Sequence, residues 1–195
     1  MLKVGVTGGI GAGKSVVCRV FHTLGIPVFN ADDTAKRLME TDKELVAAIS
    51  NLFGSDIYID GKLDRKKLAS LVFEQPALLH QLNALVHPAT ITYGNTWMQK
   101  QTSPYVIKEA AIFFESGSHK EMDVMIGVFA PERVRIDRAL QREGMTREKV
   151  LQRIASQMDD TEKMKRCDYV ITNDGSTALI PQVLDIHRQL LTQTA

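Results

Sequence analysis

Cysteine is nearly absent from this chain of 195 residues: only Cys18 and Cys167 occur, far apart. Two such residues build neither a disulfide framework nor a thiolate metal site, and they read as small buried side chains of a reducing compartment. An excess of either charge is missing too. Twenty-four Lys and Arg face twenty-three Asp and Glu, leaving +1 and no global field for gripping a polyanion, so composition asks for no nucleic-acid partner. No stretch approaches eighteen apolar residues without a charge, which excludes a membrane-spanning helix. The opening Met-Leu-Lys-Val-Gly-Val runs into a glycine loop before a signal peptide's apolar region could form. The five histidines show no metal-ligand spacing, and there is no internal repeat, low-complexity tract or linker. With 44% apolar residues the expectation is a soluble, cytoplasmic α/β protein of one domain with elaborations.

What is present begins at once. Residues 2–7 form a short apolar run, 8–13 read Gly-Gly-Ile-Gly-Ala-Gly, and Val16, Val17, Val20, Phe21 and Leu24 then recur with helical spacing. Gly25 and Pro27 end that helix, and 27–29 read as a second strand, completing the first βαβ unit of a parallel sheet. A helical pattern follows Asp32-Asp33 and continues to Leu52; 53–63 read as a turn-rich break, and 64–86 as helix. His87-Pro88 is expected to interrupt that helix, because the residue before proline is pushed out of the α region, with a further helix over about 89–101. Strands are expected at 105–108, 123–129 and 168–172, a turn at 173–175, and helices at 132–142, about 146–165 and 177–191. The fold expected is a five-stranded parallel sheet flanked by helices. Its core would comprise about 1–30, 103–130 and 166–195, with a helical substrate-binding insertion over about 55–102 and a helical lid over about 131–165.

Gly8-Gly9-Ile10-Gly11-Ala12-Gly13-Lys14-Ser15 matches G-x-x-x-x-G-K-[ST] between a predicted strand and helix, the context this phosphate loop requires. Glycines let successive backbone N–H groups converge on an anion at a positive helix end. Lys14 supplies a mobile charge for the β- and γ-phosphates, and Ser15 a hydroxyl for Mg²⁺, which takes few protein oxygens. The guanine-reading Asn-Lys-x-Asp is absent, and the candidate strands ending in an acid, 106–109 and 112–115, both end in glutamate.

Asp32-Asp33 follows the second strand, where a parallel sheet binds ligands. A carboxylate there can accept a proton from an acceptor hydroxyl, or cap the next helix; Asp33 is read as the cap and Asp32 as the base. With a pKa of about 3.9, aspartate would act chiefly by orienting the hydroxyl. Arg135, Arg138 and Arg142 are spaced to share one helix face. They fit either a solvated helix pairing with Glu132, Asp137 and Glu143 or a lid over phosphates, and the glycine loop favours the lid for Arg138 and Arg142. Alone, Arg65 would be a surface arginine and His87 a helix-end residue.

These segments together resemble the dephospho-coenzyme A kinase family. Residues 6–15 are similar to its T-G-G-I-G-S-G-K-S, Asn30-Ala31-Asp32 to D-A-D, Leu63-Asp64-Arg65 to L-x-R, and residues 82–88 to L-N-x-[IL]-x-H-P. Residues 111–115 resemble P-L-L-F-E, Arg138 and Arg142 the lid arginines, and Gln157 with 167–175 a Q followed by A-D-x-V-I-x-N-x-G. The resemblance implies ATP-dependent phosphorylation of the ribose 3′-hydroxyl of dephospho-coenzyme A with Mg²⁺, by a monomer or weak homo-oligomer without nucleic-acid or membrane partners. It implies Asp32, Lys14 and Arg138 as catalytic. ATP would meet Gly9, Gly11, Ala12, Gly13, Lys14, Ser15, Val16, Arg138, Arg142, Asn173 and Gly175; the acceptor would meet Asp32, Arg65 and His87. Val16, Asn30, Lys36 and Ala111 depart from the pattern, Asn30 removing a carboxylate and leaving the burden on Asp32. Another small-metabolite kinase, of shikimate or nucleoside type, and a nucleotide sensor without transferase activity are the alternatives.

Overall fold

The computed structural model describes residues 1–142 and 144–194, so Glu143 and its expected pairing lie outside the described residues. In chain order the elements are β1 (Leu2–Thr7), α1 (Lys14–Thr23), β2 (Val28–Asn30), α2 (Ala31–Thr41) and α3 (Lys43–Phe53). Then come β3 (Tyr58–Ile59), β4 (Lys62–Leu63), α4 (Arg65–Glu74), α5 (Pro76–Gln99), β5 (Tyr105–Glu109) and β6 (Val124–Phe129). The chain closes with α6 (Glu132–Leu140), α7 (Arg147–Ala155), α8 (Asp160–Lys165), β7 (Tyr169–Thr172) and α9 (Leu179–Gln193).

Two compact units result: 1–30 with 101–195, and 31–100. In the first, a five-stranded sheet runs β2-β5-β1-β6-β7, and every neighbouring pair is parallel. Its strands are nearly continuous apolar runs because both faces are covered. Val4, Val6, Tyr105, Ile107, Ile126 and Ile171 meet Val17 and Phe21 of α1 and Val183, Ile186 and Leu190 of α9 in one core. A smaller cluster seats Ile10 of the glycine loop among Ile136, Ala139 and Val150 of α6 and α7. β1 is central, so the loop after it opens at the carboxyl edge of the sheet between β5 and β6, the usual ligand edge of such sheets.

The second unit is helical around Leu38, Leu45, Ile49, Ile57, Leu63, Leu68, Leu82 and Val86. It begins at residue 31, so α2 and α3 belong to the compact body that was expected to start near 55. The two arise from one expected helix, cut at Asp42, whose carboxylate accepts the N–H groups of Glu44 and Leu45 at 3.1 and 3.0 Å as an N-cap. Within the turn-rich break lies a small antiparallel hairpin, β3-β4, turning at Asp60-Gly61 with both residues at positive φ.

His87-Pro88 does not interrupt the chain as expected. The break falls at Gln75, with Pro76 at the first position of α5, and α5 runs through Pro88 to Gln99. Proline removes one backbone donor there. The loss is outweighed by a face buried at Leu82, Val86, Thr90, Gly94 and Met98, and the Thr90 hydroxyl donates to the Val86 carbonyl at 2.8 Å. The expected helix at 146–165 is likewise two, because Asp159 caps a new start by accepting the Glu162 N–H at 3.1 Å.

Candidate active site

The glycine loop is held by its own backbone and by the helices around it. The Ala12 N–H donates to Gly9 O at 3.2 Å, and the Val16 N–H to Gly13 O at 3.0 Å, so these two amides close turns inside the loop. Gly11 and Gly13 have φ of 79° and 94°, where a side chain is strained. A Cβ would strike the Arg135 carbonyl at Gly11 and the Asn173 amide at Gly13. Lys14 heads α1 and folds back, its Nζ donating to the carbonyls of Gly8 at 2.9 Å and Gly9 at 3.3 Å. Ser15 follows on the first turn, and its hydroxyl donates to Glu109 at 3.2 Å.

Around this loop the structure gathers residues remote in sequence. The Asn173 amide donates to Ala12 O at 2.8 Å, and Arg138 Nη1 donates to Asn173 O at 2.8 Å. Gly175, at φ 94°, lies so that a Cβ would come within 3.9 Å of Arg138 Nη2. Glycine loop, Arg138 and the turn after β7 are therefore joined. The turn is stiffened by Asp174, whose carboxylate accepts the Ser176 and Thr177 N–H groups at 2.9 and 2.7 Å. Those backbone donors hold its pKa down to about 2.

Of the three arginines, Arg135 and Arg138 both border the glycine loop, where a Cβ on Gly9 would strike Arg135 and one on Gly13 would come within 4.0 Å of Arg138 Nη1, and only Arg142 falls outside their helix. Arg135 is buried and ion-pairs with Asp160 at 2.8 Å, and its Nε is a buried donor without a partner among the described residues. Arg138 reaches the turn, whereas α6 ends at Leu140 and leaves Arg142 beyond it, exposed. Burial raises the Asp160 carboxyl despite the opposing charges of Arg135 and Lys163. Gln157 accepts the Ile10 N–H at 3.2 Å. Deeper, fully buried Lys163 donates to Ala111 O at 3.1 Å and Glu115 at 3.0 Å, and Glu115 also accepts the Met158 N–H at 2.8 Å.

Asp32, Arg65 and His87 all fall in the second unit. Asp32 and Asp33 lie inside the first turn of α2, which starts at Ala31, so Asp33 is not its cap; it pairs with Lys36 at 2.8 Å. Asp32 is exposed. Arg65 donates to Lys36 O at 3.1 Å and to Glu40 at 2.8 Å, and His87 is half-buried within α5. Sequence reasoning passed over Glu109 and Asp160. Glu109 had a signal, as an acid ending a buried strand; Asp160 had none.

A phosphate loop on the central strand of this parallel sheet, with helices and a strand-end turn tied to it, defines a P-loop kinase fold. A Bacteroides fragilis dephospho-CoA kinase is 37% identical to the chain over 186 residues, covering 95% of this chain and 91% of that one. Among solved structures, TT1252 from Thermus thermophilus matches with a TM-score of 0.86 at 34% identity over 97% of both chains. A dephospho-CoA kinase from Campylobacter jejuni matches at 0.73 and 26% identity, covering 99% of this chain and 98% of that one. The dephospho-CoA kinase family model matches residues 2–178, and the chain belongs to this family.

Proposed function

We propose that the chain transfers the γ-phosphoryl group of ATP to the ribose 3′-hydroxyl of dephospho-coenzyme A, releasing coenzyme A and ADP. The observation that carries the reading is the link from the glycine loop through Asn173 to Arg138, within a chain of this family. It builds a site for a nucleotide's phosphates beside a strand-end turn suited to its base.

In this reading the loop N–H groups and Lys14 hold the phosphates, and Arg138 with Arg142 neutralises charge developing in transfer. Asn173 and Gly175 border the adenine, while Arg65 and His87 face the acceptor. Asp32 accepts the proton of the 3′-hydroxyl as its oxygen attacks the γ-phosphorus, and the bond to the β–γ bridging oxygen breaks to leave ADP. Mg²⁺ fits the donor set: the Ser15 hydroxyl, held by the Glu109 carboxylate, would supply one oxygen ligand and leave most of the coordination to phosphate oxygens and water, as Mg²⁺ prefers. When bound, the ion supplies charge neutralisation across the phosphates. No helix among the described residues is long and apolar enough to cross a membrane, and the reading makes the protein a cytoplasmic enzyme of two small molecules.

The test is ADP release with Mg·ATP and dephospho-coenzyme A, shikimate, a nucleoside panel or no acceptor. Turnover with dephospho-coenzyme A alone is expected, and Asp32→Asn should lower it by about 10²-fold or more while leaving ATP binding intact. Turnover on another acceptor would discard the substrate, and binding without turnover on any acceptor would make the protein a nucleotide sensor.

A further inference from the structure

The segment 156–159, between α7 and α8, meets the glycine loop at a single peptide unit. The Ile10 N–H donates to Gln157 Oε1 at 3.2 Å. The carbonyl of the same unit, Gly9 O, accepts Lys14 Nζ at 3.3 Å and the Ala12 N–H at 3.2 Å. A peptide is planar and trans, so holding the N–H on one side sets the direction of the carbonyl on the other. Gln157 therefore aims Gly9 O at Lys14 from outside the loop. Gly9 itself is shut in by α6 and α8: a Cβ there would strike Arg135 Nη1 and come within 2.8 and 2.9 Å of the Asp160 carboxylate oxygens. Its φ is not positive, so a side chain would meet a want of space rather than backbone strain. Neither neighbour gives way easily, because the two are ion-paired at 2.8 Å with only 6% and 13% of their side chains exposed. Arg135 keeps its place although its buried Nε finds no partner among the described residues, so its own hydrogen bonding does not account for where it sits.

We propose that Gln157 and the Arg135–Asp160 pair are positioning residues for the glycine loop, acting through the Gly9–Ile10 peptide rather than on the phosphates. Gln157 sets the plane of that peptide, and the ion pair walls in its Gly9 end. The carbonyl so placed, with that of Gly8, fixes the direction of an ammonium that otherwise swings on a flexible four-carbon stem. The inference rests on the proposed function only for the identity of the nucleotide. Residues that reach a ligand through other groups shift its affinity by about 2- to 30-fold.

The experiment combines direct ATP binding with steady-state kinetics on Mg·ATP and dephospho-coenzyme A, in the wild type, Gln157→Leu, Lys14→Met and the double variant. Leucine keeps much of the bulk of the side chain but offers the Ile10 N–H no acceptor. Gln157→Leu should weaken ATP binding and raise the KM for ATP about 2- to 30-fold, with the KM for dephospho-coenzyme A unchanged. It should cost less in the Lys14→Met background, where the Gly9 carbonyl has no ammonium to direct. A lowered melting temperature with unchanged ATP affinity, or additive losses with Lys14→Met, would reduce Gln157 to a structural role and overturn the proposal. Should Gln157→Leu not fold, Asp160→Asn keeps the shape of its side chain and removes the charge that holds Arg135. It should weaken ATP in the same way by a smaller factor, and unchanged ATP affinity there overturns the proposal. Acceptor turnover is a separate readout: a wild type that binds ATP but is inert toward dephospho-coenzyme A, with binding still sensitive to Gln157, would sink the proposed reaction and keep the positioning role.

Discussion

The two compact units spend their polar residues differently. In the sheet unit Glu109, Arg135 and Lys163 are buried, and each meets a polar partner: Glu109 the Ser15 hydroxyl, Arg135 the Asp160 carboxylate and Lys163 that of the exposed Glu115. In the helical unit the core is apolar apart from Thr90, and the charges pair on the surface, as Asp33 with Lys36 and Arg65 with Glu40. The first unit commits charge to holding one loop geometry in advance, which is what a site for transferring phosphoryl groups requires. The second keeps its charges in water, available to a ligand and of small consequence for its own stability.

This contrast can be broken first at Lys163. Lys163→Met removes the hydrogen bonds of a fully buried ammonium to the Ala111 carbonyl and the Glu115 carboxylate and should destabilise the protein by about 1–3 kcal/mol in urea titration. A cost under about 0.5 kcal/mol would show that the buried lysine holds nothing in place. The glycines sharpen the same comparison. Gly11→Ala must displace the Arg135 backbone at a positive φ and should cost about 1–3 kcal/mol together with ATP affinity. Gly144→Ala, also at positive φ but with open space around it, should cost about 1 kcal/mol and leave ATP affinity unchanged. Equal effects on ATP affinity would show that the contact of the glycine loop with α6 plays no part in holding ATP.

A smaller effect is expected in acid. Burial pulls the Glu115 carboxyl upward, but hydrogen bonds from the Met158 N–H and Lys163 outweigh it and set the group below its ordinary value. Its contribution is therefore complete above the unfolded carboxylate pKa of about 4.3 and is lost as pH falls through the lower folded value. The gap in melting temperature between wild type and Glu115→Gln should be constant near neutrality and close below about pH 4. The smallest effect belongs to the helical unit. Arg65→Ala should change stability by less than about 1 kcal/mol, since its partner is a surface carboxylate.

What the chain revealed in advance follows the reach of each signal. The glycine loop, the five strands and the turn at Asn173–Gly175 were legible because short-range features carry them: apolar runs, glycines, and helix spacing after Lys14. The helical region was read with the right composition and wrong boundaries. Pro88 looked like a break because its local cost is visible, whereas the buried face that overrides it is spread over α5. The capping power of Asp42 was passed over for the more conspicuous Asp33. Within the site, Lys14 and Ser15 were found by spacing. Glu109 could not be assigned to them, since ninety-four residues separate it from the hydroxyl it receives.

Cys18 lies on the buried face of α1, in the same core cluster as Ala12 of the glycine loop. Burial, with the neighbouring Glu109 carboxylate, raises its thiol far above the ordinary value, and Cys167 is pushed up to about 11, chiefly by burial. Neither sulfur is a thiolate at neutral pH, and it is the thiolate that reacts with peroxide, electrophiles and disulfides. Burial beside the Glu109 carboxylate thus keeps the Cys18 sulfur, on the helix that Lys14 begins, chemically quiet.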